Sequence, residues 1–194
     1  MKIISCGKVR DLYEIDDERL FLVVSDSISA FDHIMPNEIP DKGILLNQMS
    51  NFWFNKISDI LPNHVLSTKA EDFPQKFQSE SFHGRSILVK KLNMLPIECI
   101  VRGYLSGSGL KSYLQNGEIS GVKMPSGLKE SEKLSSPLFT PSTKAQSGSH
   151  DENISFEAVI EILGQELAEK IKSTAIEIYE RCASYALSRG IIIA

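Results

Sequence analysis

Hydrophobic residues fall into two rhythms along this chain. From Leu20 to Val24 they run without a break and are rich in branched side chains, which predicts a buried strand. Ser86 to Lys90 and Ile97 to Val101 predict two more strands, separated by Asn93-Met94-Leu95-Pro96. Between these pieces Leu46, Met49, Trp53, Ile57 and Ile60 recur at three- and four-residue steps, a helical stripe of the kind that packs into a core. Pro62 is placed to stop that helix. Gly107 to Gln115 predicts a short helix closed by Asn116-Gly117. Residues 120–154 are rich in Ser, Pro, Gly, Lys and Thr without periodicity, which predicts a long loop, either disordered or ligand-binding. Ser155 is a suitable N-cap for a stripe of Phe156, Val159, Ile160 and Leu163. After Gly164 a second stripe runs through Leu167, Ile171, Ala175, Ile178, Cys182 and Ala186, and Gly190 stands where a helix C′ residue belongs. Ile191-Ile192-Ile193 then read as the opening of a buried strand.

Composition narrows the class. With 194 residues, 42% hydrophobic and 24% charged, the chain can bury a core large enough for one large domain or two small ones. A net charge of −4 argues against a duplex-binding surface, although a local basic pocket remains compatible with it. Cys6, Cys99 and Cys182 form no CxxC pair, which predicts a reduced cytoplasmic protein whose cysteines are small core residues. No apolar run approaches a membrane span, and the N-terminus lacks a signal-peptide core.

Several segments carry candidate chemistry. Gly7-Lys8-Val9-Arg10-Asp11-Leu12-Tyr13 sets a glycine and two cations between strand-like pieces, suited either to phosphate or to a solvated hairpin turn. It is no Walker A loop, which needs GxxxxGK[ST] before a helix. Arg102-Gly103-Tyr104-Leu105-Ser106-Gly107-Ser108-Gly109 follows a strand and enters a helix, so backbone N–H groups, hydroxyls and the planar guanidinium can converge on an anion. A plain Gly-Ser connector reads equally well. Phe139 to Lys144 and His150 to Ile154 bracket the end of the long loop. Lys144 suits a carboxylate or phosphate, while Asp151 and Glu152 suit a cation or the N-terminus of the following helix. Asp26 and Asp32 lie just past a buried strand, a position open to function or to turn formation.

The order of these segments is more telling than any one of them. GKVRDLY, SDSISAFD, DKGILLNQMSNFWF, LPIECIVRGYLSGSG, LFTPSTK, HDENIS and RGIIIA follow one another from about Cys6 to Ala194. In kind and order they resemble the SAICAR synthetases, ATP-dependent ligases of purine biosynthesis. The resemblance implies that ATP phosphorylates the carboxylate of carboxyaminoimidazole ribonucleotide and that the amine of L-aspartate displaces the phosphate to leave an amide. It implies ATP and Mg²⁺ as cofactors and small molecules as partners, with neither nucleic acid nor membrane.

By matching position, Gly7, Lys8, Val9 and Arg10 resemble the loop over the ATP phosphates, and Leu92, Asn93 and Met94 the hinge whose backbone meets adenine. Glu98, Arg102, Ser106 and Ser108 resemble groups around the ribonucleotide, with Arg102 and the serines near its 5′-phosphate. Lys144 and Asp151 fall in a loop associated with the substrates. The implied fold is α+β with two lobes. Residues 1–92 form an antiparallel-sheet nucleotide lobe like the small lobe of kinases, and residues 93–194 an incomplete ATP-grasp-like substrate lobe. A kinase-like phosphotransferase is the rival enzyme class, but HRD- and DFG-type segments are missing. The family's magnesium ligands are expected beyond Ala194, so no metal ligand is assigned here and the 194 residues alone are expected to ligate poorly.

Overall fold

In the computed structural model, which describes residues 2–30, 33–144 and 152–194, the chain folds as two compact units, Met1–Asn93 and Met94–Ala194. It is an α+β protein with one main antiparallel sheet and, among the described residues, four α-helices.

The first unit is built on that sheet. Its elements are β1 (Lys2–Cys6), β2 (Arg10–Glu14), β3 (Arg19–Val24), a small ribbon of β4 (Ser29–Ala30) and β5 (His33–Ile34), α1 (Lys42–Lys56), β6 (Val65–Ser67) and β7 (Ser86–Lys90). Strand order is β1-β2-β3-β7-β6, so the apolar run read from sequence lies centrally. Tyr13, Phe21 and Leu88 are register partners across β2, β3 and β7. Phe21 is fully buried; it stacks on Phe77 with centroids 4.2 Å apart and meets Phe73 edge-on at 4.8 Å. Those two rings come from the short 3-10 turns between β6 and β7.

Helix α1 packs on β3 and β7; of the stripe that periodicity predicts, Trp53, Ile57 and Ile60 are half-buried, but its first two positions are not. Leu46 and Met49 are 41% and 51% exposed, and the buried positions are Gly43 and Asn47. The reason is backbone contact. A Cβ on Gly43 would lie 3.0 Å from the Ser25 carbonyl oxygen and closer still to that of Val24, so only glycine lets the helix start so near β3. Asn47 then satisfies the Gly84 carbonyl through Nδ2 at 2.8 Å. The helix ends at Lys56 and passes through turns before reaching Pro62.

The second unit holds β8 (Ile97–Glu98), β9 (Val101–Tyr104), α2 (Gly107–Asn116), the hairpin β10 (Glu118–Ile119) and β11 (Val122–Lys123), β12 (Lys133–Phe139), β13 (Ser142–Thr143), α3 (Phe156–Leu163) and α4 (Gln165–Leu187). The single strand expected over Ile97 to Val101 is two strands with different partners, β8 with β13 and β9 with β12. The expected loop over 120–154 contains the seven-residue β12. Ser135, Ser136 and Pro137 spoil its alternation, and they fall where its register with β9 slips, a place that tolerates proline. Ser155 caps α3 as expected, accepting the Ala158 N–H at 3.2 Å. Gly164 and Gly190 both adopt positive φ. Ile97, Val159 and Ala168 form one core cluster, and Leu105, Ile119 and Leu134 another.

Two further expectations change. Ile191 and Ile192 form no strand and are 60% and 61% exposed. A strand needs a neighbouring edge, whereas here the Ile191 N–H turns back to the Ala186 carbonyl and the Ile193 carbonyl accepts the Tyr179 hydroxyl at 2.7 Å. Cys6 and Cys99 are exposed rather than core residues, because one ends an edge strand and the other lies between β8 and β9.

Candidate functional site

The most developed site in the second unit grows from the end of β9. Arg102 is on that strand, and Leu105 and Ser106 turn the chain into α2. Gly107 enters the helix with φ +56, a conformation that glycine adopts without strain. Arg102 Nη2 donates to Ser108 Oγ at 2.8 Å. A Cβ on Gly109 would come 3.2 Å from Arg102 Cδ, so the arginine stem lies along the first turn of α2. The first N–H groups of a helix lack intrahelical acceptors and carry the positive end of its dipole. No acidic residue occupies the first turn of α2, and the Ser106 side chain makes no capping bond. Arg102, Ser106, Ser108 and the helix N-terminus thus form one positive, donor-rich corner, which can hold an anion with several oxygens.

Glu98 and Lys144 belong to a second ribbon, β8 with β13. Glu98 faces Ser142 and Ile97 faces Thr143, while the Lys144 N–H reaches the Pro96 carbonyl at 3.2 Å. Alternation puts Glu98 and Lys144 on one face as diagonal neighbours. Ser142 is 3% exposed, and its Oγ is a buried hydroxyl without a hydrogen-bond partner. Thr143 exchanges two bonds with Glu152, N–H to carbonyl at 2.9 Å and Glu152 N–H to Oγ1 at 3.1 Å. Asp151 and Asp32 lie outside the described residues.

In the first unit, Gly7 to Arg10 form the turn between β1 and β2. The Gly7 N–H donates to the Arg10 carbonyl at 2.7 Å, and a Cβ there would sit 2.8 Å from that oxygen. Val9 is anchored because its carbonyl accepts the Ser25 N–H at 2.9 Å, and the Lys8 and Arg10 side chains are exposed. Leu92 and Asn93 end the first unit and Met94 opens the second; Leu92 and Met94 are 59% and 72% exposed. These two segments occupy separate loops.

Asp26 proves to be a helix cap recruited from outside the helix. Its carboxylate accepts the Gly43 N–H at 2.8 Å and the Asp41 N–H at 3.3 Å, and pairs with Arg85 at 3.1 Å. The Gly43 bond first, and then Arg85, hold its pKa below the ordinary value. Among the described residues no three His, Cys, Asp or Glu side chains gather to hold a metal ion.

Tyr179 on α4 drew no attention in the sequence. Its hydroxyl occupies the place a Cβ of Gly103 would take, with Cζ only 2.7 Å from that point. The one sequence hint was a glycine inside a strand, a mark of close approach.

Comparison with known proteins gives a consistent picture. The chain matches the family model described as SAICAR synthetase over residues 3–194. It is 55% identical over 196 residues to a phosphoribosylaminoimidazole-succinocarboxamide synthase of Maridesulfovibrio salexigens, and 54% identical to that of Geobacter metallireducens. Each alignment takes in 100% of this chain and 66% of the relative, so the chain spans about two thirds of their length. Among solved structures it resembles a SAICAR synthase from Saccharomyces cerevisiae complexed with SAICAR. The TM-score there is 0.92 at 42% identity, over 100% of this chain and 66% of that one. A SAICAR synthetase in complex with ADP matches with TM-score 0.76 at 25% identity, over 98% of this chain and 71% of that one.

Proposed function

The chain belongs to the SAICAR synthetase family, and from that premise we propose that it is part of a ligase of purine biosynthesis joining L-aspartate to carboxyaminoimidazole ribonucleotide at the expense of ATP. The observation that carries this reading is the Arg102–Ser108 hydrogen bond laid across the N-terminus of α2. A ribonucleotide monoester presents several anionic oxygens. The guanidinium fork, the Ser106 and Ser108 hydroxyls and the first helix N–H groups suit them together.

Holding the 5′-phosphate there anchors the substrate through its unreactive end and leaves the imidazole carboxylate free to be positioned elsewhere. Glu98 and Lys144, on one face of the β8–β13 ribbon, meet the rest of the ribonucleotide or the aspartate, with Asp151 in the same stretch of chain. The glycine turn Gly7 to Arg10 covers the ATP phosphates, with Lys8 and Arg10 offsetting their charge, and the backbone of Leu92, Asn93 and Met94 meets adenine. Transfer of the γ-phosphoryl group to the carboxylate forms an acyl phosphate and releases ADP. Attack by the aspartate amine forms the amide and expels inorganic phosphate, which a free carboxylate could not do because oxide is no leaving group. Magnesium accompanies ATP in this proposal, but no step is assigned to it.

Within this reading residues 1–92 are a nucleotide lobe of the kinase small-lobe kind, which the five-stranded antiparallel sheet with α1 against it supports. Residues 93–194 are an ATP-grasp-like substrate lobe working in the cytoplasm, a setting that suits the exposed thiols of Cys6 and Cys99. The test is ADP release by this chain and by a form extended to the length of its curated relatives. Release should require both the carboxylated ribonucleotide and aspartate. Equal ATP hydrolysis with either one omitted would remove the ligase assignment.

A further inference from the structure

We propose that Tyr179 is a positioning residue for Arg102, its hydroxyl fixing the end of β9 through Gly103; this rests on the reading of Arg102 as a phosphate ligand. Gly103 is the residue directly after Arg102 and is buried. The Tyr179 oxygen stands where a side chain would begin at Gly103. The same oxygen lies against the Gly103 backbone and donates to the Ile193 carbonyl at 2.7 Å. The phenol's one proton is thus committed to the Ile193 carbonyl, which fixes the hydroxyl oxygen against Gly103.

The strand needs such a brace. Arg102 pairs with Leu138 and Tyr104 with Lys133, so the register between β9 and β12 slips at Gly103, where a regular ladder would otherwise fix the backbone. Tyr179 fills that place from the middle of α4, a helix of 23 residues, which is a rigid platform. Burial, and then the neighbouring Tyr104, raise the Tyr179 pKa above its ordinary value of 10.0, opposed by the nearby Gly103 backbone. The phenol therefore stays protonated, and able to donate, throughout the neutral range. A small shift of the Gly103 backbone is carried to the far end of the arginine side chain, where the Ser108 bond and the helix N-terminus define the anion position.

Tyr179→Phe removes one oxygen and keeps the ring. The probes are aminoimidazole carboxamide ribonucleotide and its nucleoside, titrated calorimetrically, with the ratio of their dissociation constants as the readout. That ratio is unaffected by the fraction of protein folded, since both ligands bind the same folded molecules. Tyr179→Phe should reduce the preference for the nucleotide by about two- to tenfold, the scale of one lost hydrogen bond. Gly103→Ala, which disturbs the same contact from the other side, should also reduce it. In an Arg102→Ala background Tyr179→Phe should change nothing further, because the two act in series. An unchanged ratio in Tyr179→Phe beside a reduced one in Arg102→Ala overturns the positioning role alone. An equal loss with and without Arg102 overturns it as well. A ratio that Arg102→Ala leaves untouched overturns the phosphate reading beneath it.

Discussion

Replacing Arg102 by alanine separates binding from stability in a way the local geometry fixes. The guanidinium lies at the positive end of α2, whose first turn contains no acid to offset it. A cation at a helix N-terminus costs about 0.3–1 kcal/mol. Against that stands the exposed bond to Ser108 at 2.8 Å, worth about 0.5–1.5 kcal/mol. The two contributions nearly cancel, so Arg102→Ala should change ligand-free stability by less than about 1 kcal/mol. Ribonucleotide affinity should behave differently. A charge-assisted hydrogen bond to phosphate is worth about 1.5–3 kcal/mol, a loss of roughly 10- to 150-fold. ATP affinity should remain unchanged. The assay is a pair of calorimetric titrations with the ribonucleotide and with ATP, beside chemical denaturation in phosphate-free buffer. A stability loss above about 2 kcal/mol with ribonucleotide affinity intact would make Arg102 a structural residue and refute the argument.

Other substitutions probe the first unit. Lys8→Ala should raise the Michaelis constant for ATP or lower turnover while leaving ribonucleotide affinity intact; no change in either ATP parameter would mark Gly7 to Arg10 as a plain hairpin turn. Phe21→Ala, at a fully buried ring held between Phe73 and Phe77, should cost about 3–5 kcal/mol in denaturant unfolding of the first unit; a cost below about 1 kcal/mol would show that this aromatic cluster is not the core. Asp26 has a folded-state pKa below its ordinary 3.8, so its contribution to stability is present above that value and fades as pH falls toward the folded pKa. Denaturation midpoints followed from pH 5 downward should fall less steeply for Asp26→Asn than for the parent chain, and parallel curves would contradict the capping role.

What could be read from the sequence followed from locality. β3, β7, α3 and α4 were legible because a buried run, a capping serine and the glycines after helices act over a few residues. The division of Ile97 to Val101 was not, since β8 and β9 differ only in which distant strand each one pairs with. α1 misled for a related reason. Its period was read correctly, but its inward face is set by a glycine under two carbonyls and by Asn47, not by Leu46 and Met49. In the candidate site Arg102, Ser106 and Ser108 were legible as a contiguous motif, and the structure brings Arg102 and Ser108 into contact. The Asp26 cap and the Tyr179 contact join residues far apart in the chain, and nothing local announces them.

The central claim is ligation through an acyl phosphate, and oxygen tracing tests it most directly. Carboxyaminoimidazole ribonucleotide labelled with ¹⁸O in its carboxylate is turned over with ATP and aspartate by the form extended to the length of the curated relatives. The inorganic phosphate released is then analysed by mass spectrometry. The account predicts that each phosphate carries an oxygen from the carboxylate, because that oxygen leaves with the phosphoryl group when the amide forms. Unlabelled phosphate accompanying amide formation would contradict it.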